Sequence, residues 1–297
     1  MNHPNINELQ PIDKLLFEPE LSGNIFFHRH FYFNGQKFMT GDKFQLQHTG
    51  EFMCLSCSKK SKKIFRGFCY PCLIKKPEAD NCIMSPHLCH YIRGTCRDEK
   101  FGKEFCYKPH VLYLAFTDKF KVGITRKSQV PIRWFDQGAT WAYPLYEVSS
   151  RHMAGVIEKF LTQYLSDKSH WLKMLKMGNK KPTEIEFLEL IKKIENIISE
   201  NISEFKIELP ADINLALDIK KYVSEIKNFQ DENSVLINYA IPEPMLEKIE
   251  SLKLDKTPII DGVISGFKGQ YLFIDDKYVF NARSHSGYVV NLVKKGP

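Results

Sequence analysis

All eight cysteines of this 297-residue chain fall between Cys54 and Cys106, and no other feature restricts its fold as tightly. The first four form two pairs, Cys54-x2-Cys57 and Cys69-x2-Cys72, with eleven residues between them. A C-x2-C turn aims two thiolates at one ion, and two such turns complete a tetrahedron. The spacing therefore predicts a closed structural zinc site. Redox chemistry at C-x-x-C would instead call for a single motif beside a βαβ unit. The remaining four, Cys82, Cys89, Cys96 and Cys106, are spaced more widely, yet they make a second complete set with no thiol left over. Two structural zinc ions are expected, with His87, His90 and His110 as alternative ligands in the second set. Four-thiolate sites leave no open position for water, so zinc is given no catalytic part.

Residues 1–8 have neither the basic nor the apolar stretch of a secretory signal. No run approaches the roughly 18 apolar residues of a membrane helix, so no membrane partner is expected. A cytoplasmic chain with reduced thiols follows as the expectation. The net charge of +7 is uneven: residues 51–110 carry twelve Lys and Arg against six Asp and Glu. Zinc-bound thiolates would offset much of this excess, which leaves the positive character local. Lys59, Lys60, Lys62, Lys63 and Arg126 are the candidate nucleic-acid contacts. Near them, cations alternate with rings in Lys62, Lys63, Phe65, Arg66, Phe68 and Tyr70. That mixture can touch phosphates and stack bases, or it can pack the ribbon and keep a loop soluble.

The hydropathy pattern predicts an α+β protein in five regions. Residues 1–50 read as strands, with Asn34-Gly35 as a hairpin turn. Residues 51–108 form the double zinc module. Residues 109–180 read β-β-helix-β-helix, with strands at 111–116, 120–125 and 144–149 and helices at 129–137 and 152–165. Residues 181–233 read as a helical segment opened by the capping box Thr183-Glu184-Ile185-Glu186. Residues 234–297 return to short strands punctuated by glycine, which predicts a small β-barrel or sandwich.

Within 109–180, Val111-Leu112-Tyr113, Lys121-Val122-Gly123-Ile124-Thr125, Arg133 and Glu158 follow one another in an order that resembles the GIY-YIG nuclease core. The resemblance implies a small three-stranded antiparallel sheet with flanking helices. It also implies phosphodiester cleavage dependent on Mg2+ or Mn2+, with Tyr113 helping to activate water and Glu158 holding the ion. Arg133 matches the family arginine. Lys121 stands where the family's second motif begins with tyrosine, and Gly123 where it ends, so Lys121 would take the proton-transfer place. The chemistry is consistent: an arginine stabilises charge on phosphate oxygens, one carboxylate with waters suffices for Mg2+, and a tyrosine or lysine can take a proton. Each residue also has an ordinary reading: core strand for Tyr113, exposed strand for Lys121, pairing with Asp136 for Arg133, solvent face for Glu158.

Over its whole length the chain resembles the bacterial family catalogued as domain of unknown function 2797. The residues that carry this are Cys82-Ile83-Met84-Ser85-Pro86-His87-Leu88-Cys89-His90, Gly94-Thr95-Cys96-Arg97, Lys121–Arg126, Arg133-Trp134-Phe135-Asp136-Gln137-Gly138-Ala139 and Gly269-Gln270-Tyr271-Leu272. This resemblance implies that residues 133–139 and 266–271 belong to one working unit. The leading expectation is a zinc-containing nucleic-acid-binding protein that cleaves phosphodiesters. Two others stay open: a silent DNA- or RNA-binding module with Arg126, Arg133 and Arg151 along a groove, and a zinc scaffold for another protein.

Overall fold

Three sheets organise the residues that the computed structural model describes, which are 9–166, 168–200, 233–244 and 247–295. The six-stranded sheet runs in the order Phe120–Arg126, His110–Phe116, Trp141–Val148, Val235–Tyr239, Ile25–His28 and Glu20–Ser22. Its first three strands are antiparallel neighbours. Successive side chains of a strand point to opposite faces, and the sequence uses both. Leu112, Leu114, Val122 and Tyr143 pack on the helices Arg151–Leu161 and Glu184–Glu200. On the other face, Val111, Tyr113, Ala115 and Ala142 pack under Trp134 and Phe135 of the short helix Ile132–Asp136.

The expected β-β-helix-β-helix order is present with several boundaries moved: the helix read over 129–137 is Ile132–Asp136, and the one read over 152–165 is Arg151–Leu161. The third strand begins at Trp141, and Pro144 lies inside it, where the register shifts between Pro144 and Tyr146. Proline lacks an N–H and therefore opens strands or marks bulges; here it marks a bulge. The expected capping box is formed: the Thr183 N–H donates to the Glu186 carboxylate at 2.7 Å, and the Glu186 N–H donates to Thr183 Oγ1 at 3.2 Å. The part of the helical segment read over 201–232 lies outside the described residues.

The eight-stranded sheet corrects the expectation of a small C-terminal barrel. Its order is Gln10–Pro11, Tyr288–Lys295, Lys43–Met53, Ile259–Lys268, Tyr271–Ile274, Tyr278–Asn281 and Glu250–Leu252, with Lys60–Ser61 added on Lys43–Met53. The described C-terminal strands thus form an open sheet, and an N-terminal strand sits between two of them. Alternating hydropathy states that a strand has a buried face; it does not name the neighbour. Phe33, Phe38, Phe44, Phe267 and Phe280 fill the core below this sheet. Each buried ring contributes roughly 1.5–3 kcal/mol. The hairpin read at Asn34-Gly35 joins His30–Phe33 to Gln36–Met39 in the three-stranded sheet. No helix among the described residues is long and apolar enough to cross a membrane.

One network ties the sequence ends to the middle. Gln270 accepts from the Leu15 N–H at 2.8 Å and donates to Asp136 at 3.0 Å, while Lys14 donates to the other Asp136 oxygen at 2.8 Å. The segments 133–139 and 266–271, expected to act together, are joined here.

Candidate functional site

Cys54 and Cys57 lie on the turn that follows Lys43–Met53, and Cys69 and Cys72 at the start of the helix Tyr70–Lys75. Their four sulfurs all lie within 4.8 Å of one another, and the Cys57 and Cys69 sulfurs are 3.8 Å apart. A tetrahedron with metal–sulfur bonds of about 2.3 Å has edges of about 3.8 Å, so this set can hold a zinc ion. Burial alone would raise the Cys54 thiol, but backbone groups of Cys69, Cys57 and Ser56 hydrogen-bond to it and bring it down to about 6. Burial, with bonds to the other three sulfurs, pushes Cys72 up to about 12. A site that stabilises thiolate at some positions favours a cation among them.

The second set is assembled differently. Cys82, Cys89 and Cys106 are buried side by side. Cys96 joins them in the wall of one small cavity of about 10 Å³, with Asp80, His90 and Arg97 around it. Hydrogen bonds from Cys106 and Cys82 hold the Cys89 thiol low, and the same bonds raise its two neighbours. Of the three histidines read as possible ligands, His90 reaches this set: its ring, Cys82 and Asp80 place ligand atoms within 4.8 Å of one another. His110 is buried on its strand, bonded to the Lys108 carbonyl at 2.7 Å, and burial lowers it to about 4.

This second module is seated on the helix Arg151–Leu161. Arg151 donates to the Ile83 carbonyl at 2.7 Å. Gly155 permits the approach, since a Cβ there would lie 2.3 Å from the His87 backbone nitrogen. The same helix carries Glu158.

Glu158 and Arg133 line one groove of about 1060 Å³, together with Arg66, Arg126, Arg151 and Arg283. Tyr113 lies beneath it, 1% exposed, with its hydroxyl accepting from Gln137 Nε2. Burial raises the Tyr113 hydroxyl, the Arg133 charge and the Gln137 bond oppose this, and Glu158 adds to it. Of the expected four, Arg133 and Glu158 share the groove lining, and both bear on the Tyr113 hydroxyl. Gly123 pairs directly with Tyr113 across the strands, and a Cβ there would lie 2.6 Å from the tyrosine hydroxyl. Glycine at this place makes room for the ring. Lys121 shares the sheet face two residues away, opposite Ala115, but it is buried beside Ser166 and does not line the groove.

Of the basic residues read as nucleic-acid contacts, Arg126 lines the groove; Lys59, Lys60, Lys62 and Lys63 are outside its lining. Sequence reasoning missed Gln137, which lies four residues past Arg133, and Arg283, which comes from the far end of the chain. Gln137 stood inside a quoted motif without a role; Arg283 had no signal.

These features define an α+β protein with a four-cysteine centre able to hold a metal ion and an arginine-lined groove beside it. A family model described as "Protein of unknown function (DUF2797)" matches residues 41–290, and the chain belongs to that family. No curated protein and no solved structure matches it.

Proposed function

We propose that this chain is a zinc-containing nucleic-acid-binding protein with a GIY-YIG-like phosphodiester-cleaving site in the groove. The observation that carries the reading is the meeting of Arg133 and Glu158 in one arginine-rich groove above the Tyr113 hydroxyl. Both cysteine sets hold zinc in this reading, Cys54, Cys57, Cys69 and Cys72 in one and Cys82, Cys89, Cys96 and Cys106 in the other.

Four carboxylates line the groove, Asp13, Glu78, Asp136 and Glu158. Asp136 is engaged by Lys14 and Gln270, and Glu158 is half-buried on the helix Arg151–Leu161. One such carboxylate fits Mg2+ or Mn2+, which keep most of their waters. When bound, the ion would lower the pKa of a coordinated water and stabilise the leaving oxygen. Arg133, exposed on its short helix, would bind the phosphate and stabilise charge on its oxygens. The Tyr113 hydroxyl, buried and held by Gln137, would hydrogen-bond Arg133 and position it for the phosphate. Burial raises that hydroxyl, so Tyr113 would serve as a hydrogen-bonding group and not as an anionic base at neutral pH.

One observation favours a second reading, a groove that binds and does not cleave. Lys121, the residue in the proton-transfer place, and Tyr113 are both buried outside the groove lining. The deciding experiment incubates labelled DNA and RNA strands, duplexes and hairpins with the protein and Mg2+ or Mn2+. Cleavage that Glu158→Ala abolishes while binding persists supports the nuclease. Arg133→Ala should cost on the order of 10²–10³ in rate. Absence of cleavage by the wild type across the panel, with binding intact, makes the silent module the answer.

A further inference from the structure

Resting on the reading of the groove as a nucleic-acid site, we infer that Arg126 is a stacking platform for an unpaired base and not a phosphate clamp. The rings of Phe101 and Phe105 stack 4.7 Å apart with planes 16° from parallel. The guanidinium carbon of Arg126 lies 4.0 Å from the centroid of the Phe105 ring, at van der Waals separation. Phe105 thus contacts both Phe101 and the Arg126 guanidinium. Both phenylalanines pack against Cys82, Cys89 and Cys106 of the second cysteine module, and Arg126 lines the groove wall.

Two neighbours sharpen the assignment. Arg151 shares the Phe105 ring at 5.7 Å, but its guanidinium is turned to the Ile83 carbonyl at 2.7 Å and the residue is buried. Its task is to seat the cysteine module. Arg126 is held by the ring, and a phosphate-clamping arginine is instead aimed through the edge of its fork. A guanidinium supported on one side by a ring can offer its other side to a base, and unpaired bases stack on such planes in single-strand recognition. The groove's 1060 Å³ is just above the range for small-ligand sites, about 300–1,000 Å³, which suits a few nucleotides of a single strand. Arg133 and Arg283 remain for its phosphates, while Arg66 already donates to the Ala79 carbonyl at 3.3 Å.

The test measures binding of a fluorescein-labelled twelve-nucleotide strand, in deoxy and ribo forms, beside strands of equal charge with a single abasic site moved along the sequence. The wild type should bind one abasic strand about tenfold more weakly than the intact strand, the usual order for one stacked base. Arg126→Lys keeps the charge and removes the platform. It should weaken the intact strand about tenfold and leave that abasic strand unchanged. Phe105→Leu, which removes the support and spares the arginine, should reproduce the selective loss in protein with unaltered melting temperature. Equal losses on intact and abasic strands would make Arg126 a phosphate clamp and overturn the inference while the nucleic-acid reading stands. Failure of the wild type to bind any strand would overturn the reading and the inference together.

Discussion

Cys54, Cys57, Cys69 and Cys72 are gathered by two tight turns within nineteen residues, whereas Cys82, Cys89, Cys96 and Cys106 are spread over twenty-five and meet where that segment folds on the helix Arg151–Leu161. The first set carries its own geometry, because each C-x2-C turn is a local structure. The second depends on its seat. Gly155 admits the backbone at Pro86 and His87, Arg151 holds the Ile83 carbonyl, and Phe105 supports Arg126. The groove has the second set beneath several of its residues, while the first contributes one wall through Leu55, Ser56, Arg66 and Phe68. Four cysteines can therefore be independent in one place and interwoven with a candidate site in another.

The largest effects come from breaking one set at a time. Elemental analysis of protein purified without added metal should give two zinc ions per chain, and one after either Cys57→Ser or Cys89→Ser. Metal binding free energy is folding free energy in such units, so both variants lose stability. Their consequences should diverge in the groove. Cys89→Ser should lower the melting temperature by about 10 °C or more and abolish strand binding, since it releases the supports of Arg126 and Arg151. Cys57→Ser should unfold the ribbon and reduce binding by about tenfold, through loss of the wall that holds Arg66. Equal losses of binding would show that the two sets are not different in kind.

A finer cut leaves all eight thiols in place. Gly155→Ala puts a methyl 2.3 Å from a backbone nitrogen, which cannot swing aside as a side-chain end would. Overpacking of this sort costs about 1–3 kcal/mol and should lower the melting temperature by about 5 °C. If zinc content stays at two while strand binding falls, the seat itself serves the groove. If binding is unchanged, the coupling between module and groove is weaker than the contacts suggest.

Legibility in the sequence followed the range over which each feature is determined. The C-x2-C pairs, the Asn34-Gly35 turn and the Thr183–Glu186 capping box are settled within a few residues, and all were read correctly. The strands at 110–126 were legible because two antiparallel neighbours joined by a short turn must pair in sequence order. The place of Lys43–Met53 between two C-terminal strands was hidden, because hydropathy alternation is the same for any partner. Buried lysines were hidden for a related reason. Lys268 is fully buried on a strand, donates to the carbonyls of Met174 and Gly178, and is lowered by burial to about 7. Its partners lie some ninety residues away, and nothing beside it in sequence announces them. Within the candidate site, Tyr113, Arg133 and Glu158 were named through the resemblance to the GIY-YIG core, whose order of strands and helices is the order observed. Gln137 and Arg283 acquire meaning only from what stands opposite them.

The smallest expected effect concerns the lysines of the first module, which sequence charge made the prime candidates for contact. Lys59, Lys60, Lys62 and Lys63 are exposed and lie outside the groove lining. Lys60 is already paired with Glu51 at 2.6 Å across adjoining strands. Three cations therefore remain to meet phosphates that run past the groove. Each phosphate neutralised on a single strand contributes about 0.7 to the slope of log affinity against log salt, so replacing all four lysines by glutamine should flatten the slope by about two units at most. Surface substitutions of this kind alter stability by about 0.5 kcal/mol or less, so the melting temperature should hold and isolate the electrostatic effect. Arg133→Gln, one residue inside the groove, should reduce affinity at low salt by more than the fourfold lysine change does. An unaltered slope would make the lysine loop a solubilising surface. A slope change above two units would place bound strand along the first module as well, and the contrast between a contacting groove and a peripheral ribbon would have to be redrawn.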